Sequence, residues 1–396
     1  MNSRLDLLQP YPFEKLRGLM KGVKGNEALR FIALSVGEPR HPTPQFVKEA
    51  WSKHVDGLAN YPTTLGSENL RLAIGEWIKR RFLVNKIDHN TQIIPTLGSR
   101  EALFSIIQVL IDEHSAKKYV ICPNPFYQIY EGAALLAGAT PYFVNADPVN
   151  HQIDYSNIDP SVLKQTAVVF VCSPGNPTGK IMTLDEWKVL FELSDTYGFT
   201  IVSDECYSEI YPDETSPPLG ALTASLKLGR KQFDRLVVMS SLSKRSNVPG
   251  MRSAFAAGDA SLLKSFLLYR TYHGSAMNPT IQKVSELAWQ DESHVIENRR
   301  LYREKFTSFY DIVNNVLPLE KPEASFYYWV KTPIDDVLFT QQLFAQHHIQ
   351  VLPGSVLARD NNGTNPGKNR IRIALVGSIE ETIDAANRIK TFVSQL

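Results

Sequence analysis

Ser240-Ser241-Leu242-Ser243-Lys244 sets an amine among hydroxyls directly after a short β-branched run, Leu236–Ser240, with Arg245 and Arg252 close behind. A free lysine with a pKa of about 10.4 is almost wholly protonated at neutral pH and is a poor nucleophile. Bonded as an imine to a cofactor aldehyde it becomes useful; otherwise it is a surface lysine in a polar loop. A second run, Phe199–Ser203, leads into Asp204, Glu205 and Tyr207. An acid at the C-terminal end of a buried strand stands where open α/β sheets place ligands. There it either keeps a pyridine nitrogen protonated or caps the next helix. Ser173-Pro174-Gly175-Asn176-Pro177-Thr178-Gly179 follows the run Ala167–Cys172. Its residues make a turn on backbone grounds alone, yet they also present the Asn176 amide at the edge that carries Asp204. In Gly98-Ser99-Arg100-Glu101 the free N–H groups of a helix start suit a phosphate, or Ser99 is a plain N-cap.

The elements that must position these groups alternate in type. Apolar, β-branched runs at Ile93–Thr96, Tyr119–Cys122, Pro141–Asn145, Ala167–Cys172, Phe199–Ser203, Leu236–Ser240 and Ser253–Ala257 read as buried strands. Helical spacing fills most gaps, as in Leu70–Phe82 and Glu101–Ile111. This alternation predicts an α/β fold with a mainly parallel sheet covered on both faces. From about Thr280 to Val316 the pattern suits one long connecting helix. Strands at Ser325–Val330, Gln350–Leu357 and Arg370–Val376, and a helix at Val337–His347, then suggest a smaller α/β domain.

A length of 396 residues predicts two or three domains. With 42 Lys and Arg against 41 Asp and Glu, the net charge of +1 supplies no field for nucleic acid or an anionic membrane. An anionic ligand must be held by local groups. Cys122, Cys172 and Cys206 form neither a disulfide framework nor a zinc spacing. No targeting segment or membrane span is visible, and the expectation is a cytoplasmic protein. Adjacent His347 and His348 on a helix diverge by about 100°, so no metal site is expected from them. His41 lies in a proline-rich loop, and Cys206 is expected to pack rather than react.

Taken in order from SVGEPRHPTP (Ser35–Pro44) to RIRIALV (Arg370–Val376), these strings resemble the fold-type I, class I/II aminotransferases that use pyridoxal 5'-phosphate. The resemblance implies a large cofactor domain with a seven-stranded, mainly parallel sheet (residues 46–285). It implies a smaller α/β domain from residues 286–396, joined by an N-terminal arm, 1–45, and a homodimer with sites at the interface. By matching motif, Lys244 resembles the Schiff-base lysine and Asp204 the partner of the pyridine nitrogen. Tyr207 and Asn176 resemble the partners of the ring's phenolic oxygen, and Tyr127 in PNPFYQIY the stacking aromatic. Ser99, Arg100, Ser241, Ser243 and Arg252 resemble the phosphate cup. Tyr61 in YPTTLGSENLR resembles the tyrosine that reaches the neighbouring subunit's phosphate, while Arg372 and the Gly37 backbone resemble the α-carboxylate clamp.

Two strings depart from the common pattern. PGSVLARD (Pro353–Asp360) lacks an aromatic that the family often carries, and Arg245-Ser246-Asn247-Val248 follows the lysine. SLSKRSNVPGMRSAFAAGD and LLQPYPFEKLRGL are similar to the N-succinyldiaminopimelate aminotransferases of bacterial lysine biosynthesis. That resemblance implies transamination of N-succinyl-L,L-2,6-diaminopimelate with 2-oxoglutarate, an amino acid and a 2-oxo acid exchanging roles. Its distal carboxylate calls for a further cation, for which Arg40, Arg245 and Arg270 are candidates. Rival readings are transamination of aspartate, alanine or an aromatic amino acid, C–S bond elimination, and a non-catalytic regulator on the same fold.

Overall fold

The computed structural model describes residues 1–396, organised around three sheets. After β1 (Ile32–Ala33), seven strands share one sheet: β2 (Ile93–Thr96), β3 (Tyr119–Asn124), β4 (Thr140–Asn145), β5 (Thr166–Cys172), β6 (Thr200–Asp204), β7 (Leu236–Ser241) and β8 (Ala254–Gly258). Each predicted run forms its strand, with ends that agree to within two residues. Alternate side chains enter opposite cores: Ile201 and Val238 lie in one cluster, Val202 and Val237 in the other. Helices cover both faces, which is why the central strands are apolar throughout rather than alternating.

The strand order is β2-β8-β7-β6-β5-β3-β4. Contacts among β3 to β7 are parallel, whereas β8 runs antiparallel to both β7 and β2. The chain steps outward from β3 to β4 and then the other way from β5 to β7, so the order reverses between β3 and β5. Residues after β3, β5, β6 and β7 therefore share one edge. Because β8 is reversed, Arg252 stands at that edge before its strand; β2 restores the direction and delivers Gly98–Arg100 there. The register agrees, with Cys172 opposite Asp204 and Ala254 opposite both Ser241 and Thr96.

In the C-terminal third, β9 (Tyr327–Lys331), β11 (Leu352–Pro353) and β12 (Arg370–Ala374) form an antiparallel sheet in the order β11-β12-β9, while β10 (Ile349–Gln350) pairs in parallel with β1. Two expectations need correction. The single helix over 280–316 is two, Pro279–Gln290 and Ser293–Val313. Asp291 is the C-cap of the first and directly precedes Glu292, the N-cap of the second, its carboxylate accepting the His294 N–H at 3.0 Å and the Ser293 hydroxyl. Arg245 takes carbonyls at the end of the first helix, Ala288 at 2.6 Å and Asp291 at 3.1 Å, so the break is held rather than frayed. The strand predicted over 350–357 is also broken: after Pro353 the chain turns into a 3₁₀ helix, Gly354–Leu357.

Arg245 is 1% exposed, paired with Glu292 at 2.6 Å, and stacked against Trp289 and Trp77. Its truncation leaves a cavity and two unmet carbonyls. Arg245→Ala is expected to cost about 3 kcal/mol of stability, read as a lower melting temperature. An unchanged melting temperature would show that this staple is not structural.

Candidate active site

Lys244 lies in the short helix Leu242–Arg245 that β7 feeds. Its Nζ donates to the Gly37 carbonyl at 2.7 Å. Burial lowers its pKa to about 8, with Cys206 opposing and Arg372 adding to the shift. A lysine that sheds its proton this easily is nucleophilic close to neutral pH.

Asp204 ends β6 and is 5% exposed. Its oxygens accept from the Tyr130 hydroxyl at 2.9 Å and the Cys206 N–H at 3.3 Å, and it caps no helix. Burial raises its pKa, opposed by the Cys206 thiol, the Tyr130 hydroxyl, the Cys206 N–H and, through space, the Lys244 charge. Neutral donors stabilise the carboxylate, but no cation is bonded to it. Tyr207 is buried, its hydroxyl 3.0 Å from that of Tyr327, and burial pushes its pKa up, so it stays a donor. Arg372, 4% exposed on β12, donates to Asn176 Oδ1 at 3.0 Å and the Ser35 carbonyl at 2.8 Å and packs over Tyr327. With its oxygen so engaged, Asn176 has its amide nitrogen left to donate. The buried Arg372 Nε has no partner, which leaves this guanidinium a donor for an arriving carboxylate.

The opposite wall is a cup for an anion. Gly98 has φ +89°, and a Cβ there would lie 2.0 Å from Arg252 Nη2. Glycine lets that guanidinium sit against the start of the helix Ser99–Leu110, and Gly98, not Ser99, is its N-cap. Ser99, Ser241 and Ser243 line the same cavity, as do Arg100 and Tyr127, with Arg100 Nε donating to the Tyr127 hydroxyl at 2.6 Å. The cavity is about 880 Å³. It brings together every cofactor and α-carboxylate residue expected from the sequence except Tyr61, whose side chain is fully exposed outside it.

The three distal cations fail as such. Arg270 is fully buried and paired with Glu101 at 2.6 Å, and Arg245 is spent on the helix break described above. Arg40 pairs with Glu381 at 2.6 Å, and none of the three lines the cavity. Residues missed in the sequence include Tyr130, Tyr327, Tyr11 and Glu38. Tyr130 had a signal, since it follows Tyr127 by three residues at a helix start. Tyr327 had none, because its partner Tyr207 is 120 residues away.

A buried acid lacking a cation, a nucleophilic lysine and an anion cup at one sheet edge suit a phosphorylated, ring-containing aldehyde. The profile described as "Aminotransferase class I and II" matches residues 30–389. The chain belongs to that family of pyridoxal-phosphate enzymes. It is 30% identical over 396 residues to an LL-diaminopimelate aminotransferase of Aquifex aeolicus, covering 98% of each. A solved aminotransferase from Neisseria meningitidis superposes with a TM-score of 0.96 at 49% identity, over 99% of this chain and 100% of that one. A probable N-succinyldiaminopimelate aminotransferase from Thermus thermophilus shares the fold, with a TM-score of 0.85 at 22% identity, over 96% of this chain and 99% of that one. No helix of this aminotransferase is long and apolar enough to cross a membrane.

Because Lys244 is protonated below its pKa and nucleophilic above it, the rate at which the apoenzyme captures pyridoxal phosphate should rise with pH and level off above about 8. A rate still climbing through the ordinary lysine range would contradict that environment.

Proposed function

We propose that this aminotransferase exchanges amino groups between a diaminopimelate-type donor carrying an N-succinyl group and 2-oxoglutarate, in lysine biosynthesis. The observation that carries the reading is Arg100. Its Nε is held by Tyr127, its charge lies over the faces of Tyr11 and Tyr127, and no carboxylate engages it. The residue lines the cavity with no protein hydrogen bond on its terminal nitrogens, and, besides burial, the charges of both Arg372 and Arg100 lower the Lys244 pKa. A substrate with two carboxylates would find a guanidinium for each on this cavity. Tyr11, Pro12 and Phe13 of the segment LLQPYPFEKLRGL also line the cavity, so the string that suggested the succinylated donor lies at the pocket.

Bound pyridoxal phosphate supplies an aldehyde for the amino group and a ring that accepts electrons from the substrate Cα. Asp204 would keep a proton on the ring nitrogen, while Tyr207 and the Asn176 amide would donate to the ring oxygen. Tyr127 would pack on the ring. Ser99, Ser241, Ser243, Arg252 and the backbone N–H of Arg100 would hold the phosphate. Arg372 and the Gly37 backbone would orient the α-carboxylate, and the Lys244 amine would hold and move the substrate's Cα proton. The fully exposed Tyr61 supports a homodimer in which it completes the partner's phosphate cup. A second reading, the unsuccinylated LL-diaminopimelate, is favoured by the relatives' name and by Glu38, an exposed acid on the cavity that suits a distal ammonium.

Half-reactions with N-succinyl-L,L-diaminopimelate, LL-diaminopimelate, aspartate and alanine separate these donors. Arg100→Met should raise the KM for 2-oxoglutarate and the succinylated donor at least about ten-fold, while alanine turnover changes little. Equal losses for alanine would remove Arg100 from distal recognition. No reaction of the succinylated donor would discard that substrate.

A further inference from the structure

The segment Ser35–His41 is tied both to Lys244 and to C-terminal elements. The Ser35 carbonyl receives Arg372, and the Gly37 carbonyl receives Lys244. A Cβ at Gly37 would lie 1.9 Å from the Tyr327 hydroxyl, so this segment has no room to shift toward β9. Arg40 pairs with Glu381, and His41 reaches the helix Ser293–Val313. The first two ties end on site residues; the last two end on small-domain elements.

At the His41 tie, Lys305 is 2% exposed. Its Nζ donates to His41 Nε2 at 2.7 Å and to the Gly377 carbonyl at 3.0 Å, and lies 4.3 Å from the centre of the Tyr302 ring. With Nε2 accepting, the His41 proton is on Nδ1, which donates to Asn298 Oδ1 at 2.6 Å. That oxygen also receives the Asn247 amide at 3.0 Å, and Asn298 Nδ2 donates to the Lys244 carbonyl at 3.4 Å. Burial lowers the His41 pKa to about 4, with Lys305 adding to the effect, so the ring is the neutral one this pattern requires. Burial likewise lowers the Lys305 pKa to about 7, opposed by Glu381 and assisted by Arg40. No carboxylate is bonded to this buried amine. A lysine so placed is costly to the fold unless its position is used.

We propose that Lys305 is a positioning residue: through His41 it fixes the Ser35–His41 segment, and thereby sets Arg372 for the α-carboxylate, while Asn298 ties the same junction to the Lys244 backbone. The role is independent of which amino acid the enzyme uses, since every substrate brings an α-carboxylate.

The test uses Lys305→Met, Lys305→Arg and His41→Phe in the full chain. His41→Phe keeps a ring beside Tyr302 and removes both hydrogen bonds, so it carries the test if Lys305→Met does not fold. Amide exchange over 35–41 should quicken about ten-fold or more in the Met and Phe variants, measured without substrate. KM should rise about ten-fold for both the amino donor and the 2-oxo acid, with a smaller change in kcat, as loss of a charge-assisted hydrogen bond predicts. Lys305→Arg, which keeps a donor, should restore both. Unchanged exchange in His41→Phe would overturn the proposal. So would faster exchange with unchanged KM, or a fall in melting temperature alone, because the segment would then be structural without reaching Arg372.

Discussion

Asp204 ends a central strand where only neutral groups, the Cys206 thiol and N–H and the Tyr130 phenol, serve its oxygens, and at 5% exposure water offers little more. A carboxylate in that position is pushed towards its neutral form unless a positive group arrives. The rest of the site follows from satisfying it. A cation placed against Asp204 from the cavity side shares that cavity with Lys244 of the short helix Leu242–Arg245, with Tyr207 and Asn176, and with Ser99 and Arg252 of the anion cup. A protonated pyridine ring with a phosphate arm matches that distribution of charge. Under the proposed reading the carboxylate behind it would set its electron demand.

Much of this was legible because the parallel sheet imposes it. Buried strands must be continuous apolar runs, their C-terminal ends must share an edge, and the polar residues that follow each run therefore converge. Asp204, Asn176 and Lys244 each announce themselves as polar groups directly after such a run. Arg252 is the instructive exception, since it precedes its strand; only the reversal of β8 explains its arrival at the same edge.

Contacts made across long stretches of chain were not legible. Arg245 and Arg270 look like free cations in the sequence because nothing local shows that Glu292, Glu101 and helix-end carbonyls consume them. Arg100 looks like one more phosphate ligand until its side chain is seen to turn towards Tyr127 and Tyr11. The break at Asp291 was readable in principle, as an Asp followed by Glu and Ser is a helix start inside an otherwise helical pattern. His41 likewise passed for loop filler, although it joins the N-terminal segment to a helix more than 250 residues later.

The charge of Asp204 is the claim on which the account stands, and Asp204→Asn removes it while nearly preserving shape. The decisive measurement is the single-turnover rate of the amino-donor half-reaction, followed by the cofactor's absorbance, in enzyme loaded to the same occupancy as the parent. Loss of a charge partner that shifts a pKa by about two units predicts a fall of about a hundred-fold or more. A variant that binds cofactor and reacts within a few-fold of the parent would contradict the account.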